Sequence, residues 1–136
     1  MNSKTIFNSI FACIGTFLTW IFGGWDLAIQ ILVSFMIIDY VTGVIVAYIN
    51  KEVDSKIGFR GICKKLLIMI VLIVAVLLDR LFSGQGWIFR TATCYFFIAN
   101  EGISILENIA KCGIPLPTKL MDKLVQLKDE GGNMNE

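Results

Sequence analysis

The sequence predicts an all-α fold: an integral membrane helical bundle with four transmembrane helices and a short C-terminal amphipathic helix. Three observations predict it. Of 136 residues, 56% are hydrophobic and 17% charged, and the mean hydropathy is +0.73. An average soluble domain carries about 25% charged residues, so too little polar surface is available for a water-facing exterior. Four apolar stretches, each long enough for a bilayer-crossing helix, follow one another with almost nothing polar between them. The charges, which sum to +1, lie in blocks rather than being spread along the chain.

The first stretch, about residues 5–25, is uncharged and the least hydrophobic, diluted by Asn8, Ser9, Thr16, Thr19 and three glycines. Ser9, Ala12, Cys13, Thr16 and Thr19 give it a mild polar stripe, suited to helix contact or a wet lumen. Lys4 ahead of an apolar run imitates a signal peptide. Gly23-Gly24 leads into Trp25-Asp26, however, and not into a small-residue cleavage site, so the segment is expected to be retained.

The second stretch, about 27–49, has one ionisable residue, Asp39, near its centre. The third, about 62–82, contains the unbroken run LLIMIVLIVAVLL from Leu66 to Leu78 before Asp79-Arg80. The fourth, about 86–108, carries Arg90 and Glu101. The alternative to four crossings is three, with the diluted first segment lying in the membrane interface.

Lys51, Lys56, Arg60, Lys64 and Lys65 crowd the 50–65 connection, and Lys111, Lys119, Lys123 and Lys128 follow the fourth stretch. The other two turns hold only Asp26, and Arg80 beside Asp79 with the glycine-rich Ser83-Gly84-Gln85-Gly86. Cytoplasmic loops are the basic ones. Both termini and the 50–65 loop are therefore expected on the cytoplasmic side, with two short turns outside.

Gly113-Ile114-Pro115-Leu116-Pro117 ends the fourth helix, since proline removes a donor and restricts the residue before it. Thr118 to about Glu130 then reads as an amphipathic helix with Leu120, Leu124 and Leu127 on one side. It suits the inner membrane surface, a partner helix or a solvated tail. Residues 131–136 read as disordered. This divides the chain into a transmembrane domain, 1–112, and a cytoplasmic amphipathic helix and tail, 113–136.

Catalytic machinery is not visible. There is no histidine, and Cys13, Cys63, Cys94 and Cys112 are widely spaced without a C-x-x-C pair, so they read as packing residues. Neither a nucleophile–base pair nor a phosphate loop stands out. The expectation is a non-enzyme without metal or cofactor and without a nucleic-acid partner.

The informative residues are the embedded charges. A carboxylate near the bilayer centre costs roughly 2.5 to 3.5 kcal/mol on insertion scales, so Asp39 needs a partner, water or a proton. Gly43 and Ala47 follow on the same helical face. That face reads either as an oligomer seam around a buried carboxylate or as one structural hydrogen bond inside a monomer. On the fourth stretch Arg90, Cys94, Phe97, Glu101, Ser104 and Asn108 form a polar stripe flanked by Thr93, Asn100 and Glu107. By depth, Arg90 is expected to reach toward Asp39, and Glu101 toward Lys64 or Lys65. Asp39, Arg90, Glu101, Glu107 and Asn108 are thus the pore or oligomer candidates, Gly43 and Ala47 the packing positions, and Lys56, Arg60, Lys64 and Lys65 the basic loop.

Three blocks, in this order, carry a resemblance. They are Asp39-Tyr40-Val41-Thr42-Gly43; Ser55-Lys56-Ile57-Gly58-Phe59-Arg60-Gly61-Ile62-Cys63-Lys64-Lys65; and Glu101-Gly102-Ile103-Ser104-Ile105-Leu106-Glu107-Asn108 with Lys111-Cys112-Gly113-Ile114-Pro115-Leu116-Pro117. Over about Ile29 to Leu127 the chain resembles the toxin secretion/phage lysis holin family. The resemblance implies a small phage-type protein of the bacterial cytoplasmic membrane. Such a protein oligomerises with itself into lesions that pass an endolysin, or a toxin cargo, and so brings about host cell lysis, in some cases opposed by an antiholin. Two other classes fit the residues alone. One is a small four-helix, proton-coupled transporter using Asp39 or Glu101, although only Tyr40 and Phe35 stand near Asp39 as an aromatic cage. The other is a non-pore membrane regulator, including an antagonist of another holin.

Overall fold

A computed structural model describes residues 2–82 and 86–133. Five helices follow in order: α1 (Ser3–Ile21), α2 (Leu27–Ile49), α3 (Ser55–Leu81), α4 (Ile88–Lys111) and α5 (Thr118–Asn133). The expected turn residues Ser83, Gly84 and Gln85, and the tail residues 134–136, lie outside the described residues.

α2 coincides with the apolar stretch that predicts it. Asp26 caps its start, its carboxylate accepting from the Ile29 N–H at 3.2 Å. α1 stops at Ile21, short of the predicted end, because Gly23 and Gly24 take φ of +75° and +114°. The Gly24 N–H closes the end on the Thr19 carbonyl at 2.8 Å.

Two expectations about helix extent are corrected. The basic segment 55–65 is not a loop: α3 begins at Ser55, where the Asp54 carboxylate accepts from the Lys56 N–H at 2.8 Å. Lys56, Arg60, Lys64 and Lys65 therefore sit on a helix, hidden from the apolar-run criterion by their own charges. Residues 131–133 are not disordered either, since α5 runs through them. Gly131 is buried against the α4 backbone, and tertiary packing sustains a helix end that propensity would end earlier.

Among the described residues three helices are long and apolar enough to cross a membrane: α1, α2 and α3, with mean hydropathies of 1.3, 2.1 and 2.6. α4 is not among them, because Arg90, Asn100, Glu101, Glu107 and Asn108 dilute it. The shortfall from four thus lies in α4 rather than in the first segment.

α4 is nevertheless the centre of the molecule. It packs most extensively on α5 and α2, and also on α3. The core joins Ile29, Leu32 and Met36 of α2 to Leu72 of α3 and Cys94 and Ile98 of α4. Among the described residues α1 has none buried, and α3 is the one helix it approaches. The outer faces of α2 and α3 expose Ile37, Ile38, Val41, Val74, Leu66, Leu67, Ile70 and Leu77. A contiguous apolar surface of this kind marks a membrane-facing exterior.

Candidate functional site

Where α2, α3 and α4 meet, a polar cluster forms inside the bundle. Lys65 stands on the third turn of α3, and its Nζ donates to Asp39 Oδ2 of α2 at 2.7 Å and to Glu101 Oε2 of α4 at 2.5 Å. All three side chains are largely buried, with 17%, 15% and 9% exposed respectively. One ammonium between two carboxylates offsets charges whose separate burial would be costly. Asn108, two turns beyond Glu101, completes the layer. Its Nδ2 donates to Asp39 Oδ1 at 3.1 Å, to the Asp39 carbonyl at 3.3 Å and to Thr42 Oγ1 at 3.1 Å.

The backbones are brought together by small residues. Gly43 faces the Asn108 amide, 3.7 Å from where a Cβ would stand. The Tyr40 ring lies over Gly58 and Gly61 of α3, and a Cβ on Gly58 would come within 3.2 Å of Tyr40 Oη. The cluster borders a cavity of about 440 Å³ between the end of α2 and the start of α3, lined also by Ala47, Glu52, Asp54 and Lys64.

The expected partner of Glu101 is confirmed as Lys65 and not Lys64, which is exposed. The expected pairing of Arg90 with Asp39 is corrected. Arg90 lies at the opposite end of α4, buried, and its Nη1 and Nη2 donate to Asp26 at 2.8 and 3.0 Å. Its remaining donors reach the carbonyls of Phe22 at 2.7 Å and Gly24 at 3.2 Å. Asp39 lies level with Glu101 and Asn108, 11 and 18 residues further along α4, about 16 Å or more away at 1.5 Å per residue and beyond an arginine's reach, so Arg90 closes its fork on Asp26 at the helix end. Gly23 is required there twice over: its φ is +75°, and a Cβ would meet Arg90 Nε at 2.8 Å. Glu107 is exposed and outside the cluster, as are Lys56 and Arg60.

Residue-by-residue reading of the sequence missed Asp79. It is buried, and its two oxygens accept from the Phe89 N–H at 2.9 Å and the Arg90 N–H at 2.7 Å, capping α4 from α3. The available signal was a carboxylate closing a long apolar run just ahead of another helix. Asp26 was also missed as the arginine partner. Arg90 donating to its carboxylate holds Asp26 below the ordinary carboxylate range. At the same end Arg80 lies over the Trp20 ring, 4.2 Å from its centroid, and donates to the Trp20 carbonyl. Among the described residues no cluster of His, Cys, Asp and Glu is arranged to hold a metal ion.

The model of the bacteriophage holin family matches residues 16–129, most of the chain and all the helices that build the cluster. The chain belongs to the bacteriophage holin family. Among similar holin-family chains is the "Probable holin" of Bacillus phage phi105, 35% identical over 108 residues, covering 79% of this chain and 79% of the relative. An "Uncharacterized 14.9 kDa protein in nagH 3'region" of Clostridium perfringens is 54% identical over 117 residues, covering 86% of this chain and 89% of the relative. An uncharacterized Listeria innocua protein is 35% identical over 122 residues, covering 90% and 86%. No solved structure matches the chain. Holin-family membership and the three apolar helices make this a membrane protein. The polar cluster is thus part of a holin-family bundle whose α2 and α3 outer faces are apolar.

Proposed function

We propose that this chain acts as a holin. It accumulates in the bacterial cytoplasmic membrane with α1 to α4 crossing and Ser3 and Lys111 on the cytoplasmic side. Copies then assemble into lesions that pass an endolysin, or a toxin cargo, and the host cell lyses. The observation that carries this reading is the family match over residues 16–129, with a phage relative named a probable holin.

The geometry supplies a physical rationale. α4 is too polar to enter lipid alone, but here its Glu101 is paired with Lys65, and Arg90 with Asp26 at the bundle's end. A subunit whose internal charges already have partners is tolerated in hydrocarbon while copies accumulate. A repacking that re-pairs those groups between copies then requires no new charge to be buried.

Expression under a tight promoter, with a membrane-potential dye and a cytoplasmic endolysin, tests the reading. A holin gives a delay, then abrupt loss of potential, then endolysin activity outside the cell. Export of a cationic compound without lysis would instead identify a transporter. Delay of another holin's onset, without loss of potential by itself, would identify an antagonist.

A further inference from the structure

α5 runs antiparallel along α4, not out into the cytoplasm, and the contact is close. A Cβ on Gly102 of α4 would stand 2.9 Å from Leu124 of α5 and 3.1 Å from Phe35 of α2. A Cβ on Gly131 of α5 would stand 2.9 Å from the Phe96 nitrogen and 3.0 Å from the Ala92 oxygen, both backbone atoms of α4. Leu127 packs against the core, and Lys128 Nζ lies 5.7 Å from the Phe96 ring centroid. A glycine from each helix thus forms the seam.

These contacts place α5 in depth. Phe35 is about 12 Å along α2 from its start at 1.5 Å per residue. Ala92 is only two residues from Arg90, which is tied to Asp26 ahead of α2. Residues 124–131 therefore lie alongside the half of α2 nearer the α1–α2 turn, within a span apolar enough to cross a membrane. Yet Asp122, Lys123, Asp129 and Glu130 of α5 are exposed. Charges at that depth are not tolerated against lipid chains. From Leu66 to Leu78 of α3 every exposed residue, Val74 among them, is apolar; on α2 Ile37 is exposed and apolar, while the exposed Gln30 and Ser34 of its first turns donate to the backbone carbonyls of Trp25 and Gln30, and neither helix comes close to the α5 backbone.

We infer that the α5 side of the bundle faces water within the membrane, lining the interior shared by assembled copies, while the α2–α3 side faces lipid. This rests on the holin reading and assigns its wet surface. The polar stripe of α4, a natural candidate for that role, is instead consumed in pairing with α2 and α3. α5 supplies the wet face in its place.

Single substitutions Gln126→Cys, Asp129→Cys, Leu127→Cys, Ile37→Cys and Val74→Cys, made in the full chain, test the inference. Membranes isolated after expression are treated with a membrane-impermeant methanethiosulfonate reagent, and modification is read site by site from peptide masses. Buried Cys94 serves as the protected standard in every sample. Gln126→Cys and Asp129→Cys sit on the exposed face of α5, where folding does not depend on the side chain. They are expected to react at least about tenfold faster than the other three positions.

Equal, slow reaction at 126, 129, 37 and 74 overturns the wet face. Leu127→Cys reacting as fast as Gln126→Cys overturns it too, because α5 has then left α4. Fast reaction at 37 or 74 overturns the lipid-facing side. The membrane potential of the same cells separates this inference from the holin reading. Collapse with a protected α5 sinks only the wet face, whereas a reactive α5 without collapse sinks only the holin reading.

Discussion

Lys65 and Glu101, 36 residues apart in sequence, meet at 2.5 Å with Asp39 on the other side of the ammonium at 2.7 Å. No helix-periodicity argument links α3 to α4 at these positions. The pairing exists because α4 lies in the groove that α2 and α3 form. The two carboxylates share one ammonium, and so both are exposed to the loss of Lys65.

Replacing Lys65 with Met leaves two carboxylates facing each other in a largely buried layer. Removing one partner of a buried ion pair costs about 3–5 kcal/mol, and Lys65→Met should destabilise the detergent-solubilised protein by that order in thermal or SDS unfolding. Adding Glu101→Gln to Lys65→Met should recover about half of the loss, because only Asp39 then stays charged and Asn108 still donates to it. A double variant no more stable than Lys65→Met would show that Glu101 is not held by Lys65.

Asp79 caps α4 across a helix boundary, so its removal should loosen the start of α4 rather than the end of α3. Asp79→Ala is expected to cost about 2 kcal/mol and Asp79→Asn about 1 kcal/mol. Hydrogen exchange at Phe89 and Arg90 should accelerate in both, with exchange around Leu72 unchanged.

The Asp26–Arg90 pair gives a pH signature. Arg90 holds the Asp26 carboxyl below its ordinary value of 3.8 in the folded chain. A depressed folded value means the stabilisation is complete above 3.8 and is lost as the pH falls through the lower, folded value. Asp26→Asn should remove this acid-side loss, flattening the unfolding midpoint over that window, while stability near neutrality falls. Because the Asp26 side chain is half exposed, the effect should shrink in high salt.

Adjacent glycines near the end of α5 should respond with opposite signs. A Cβ at position 131 collides with α4 backbone atoms, whereas at position 132 it meets open space. Gly131→Ala should weaken α5 docking by about 1–3 kcal/mol, as overpacking does, outweighing a helix-propensity gain of about 1 kcal/mol or less. Gly132→Ala should keep that small gain. Limited proteolysis of α5 in membranes reads both: faster cleavage than the parent for Gly131→Ala, and no faster for Gly132→Ala.

The legible parts of the molecule share one property: their signal is local. Helix α2 can be read to the residue because its apolar run ends at a capping aspartate on one side and at polar residues on the other. α1 needs only correction of its end, which two positive-φ glycines set. Glu101 pairing with a lysine near the start of α3 was legible from depth alone, since both positions follow from counting along helices. Arg90 shows where depth fails: Asp39 lies level with the far end of α4, and the α1–α2 turn brings Asp26 to Arg90 in its place.

By itself the sequence determined the solvent and the class: too many apolar side chains for water, arranged in helix-length runs, with embedded charges too few and too costly to be left alone. Tertiary structure alone decided that Asp39 shares Lys65 with Glu101, that Arg90 turns to Asp26, and which side of the bundle α5 covers. Pairing depends on which helices lie next to each other, a consequence of glycine seams and backbone approach that no single segment encodes. Position along a helix is a local quantity, whereas a neighbour is not.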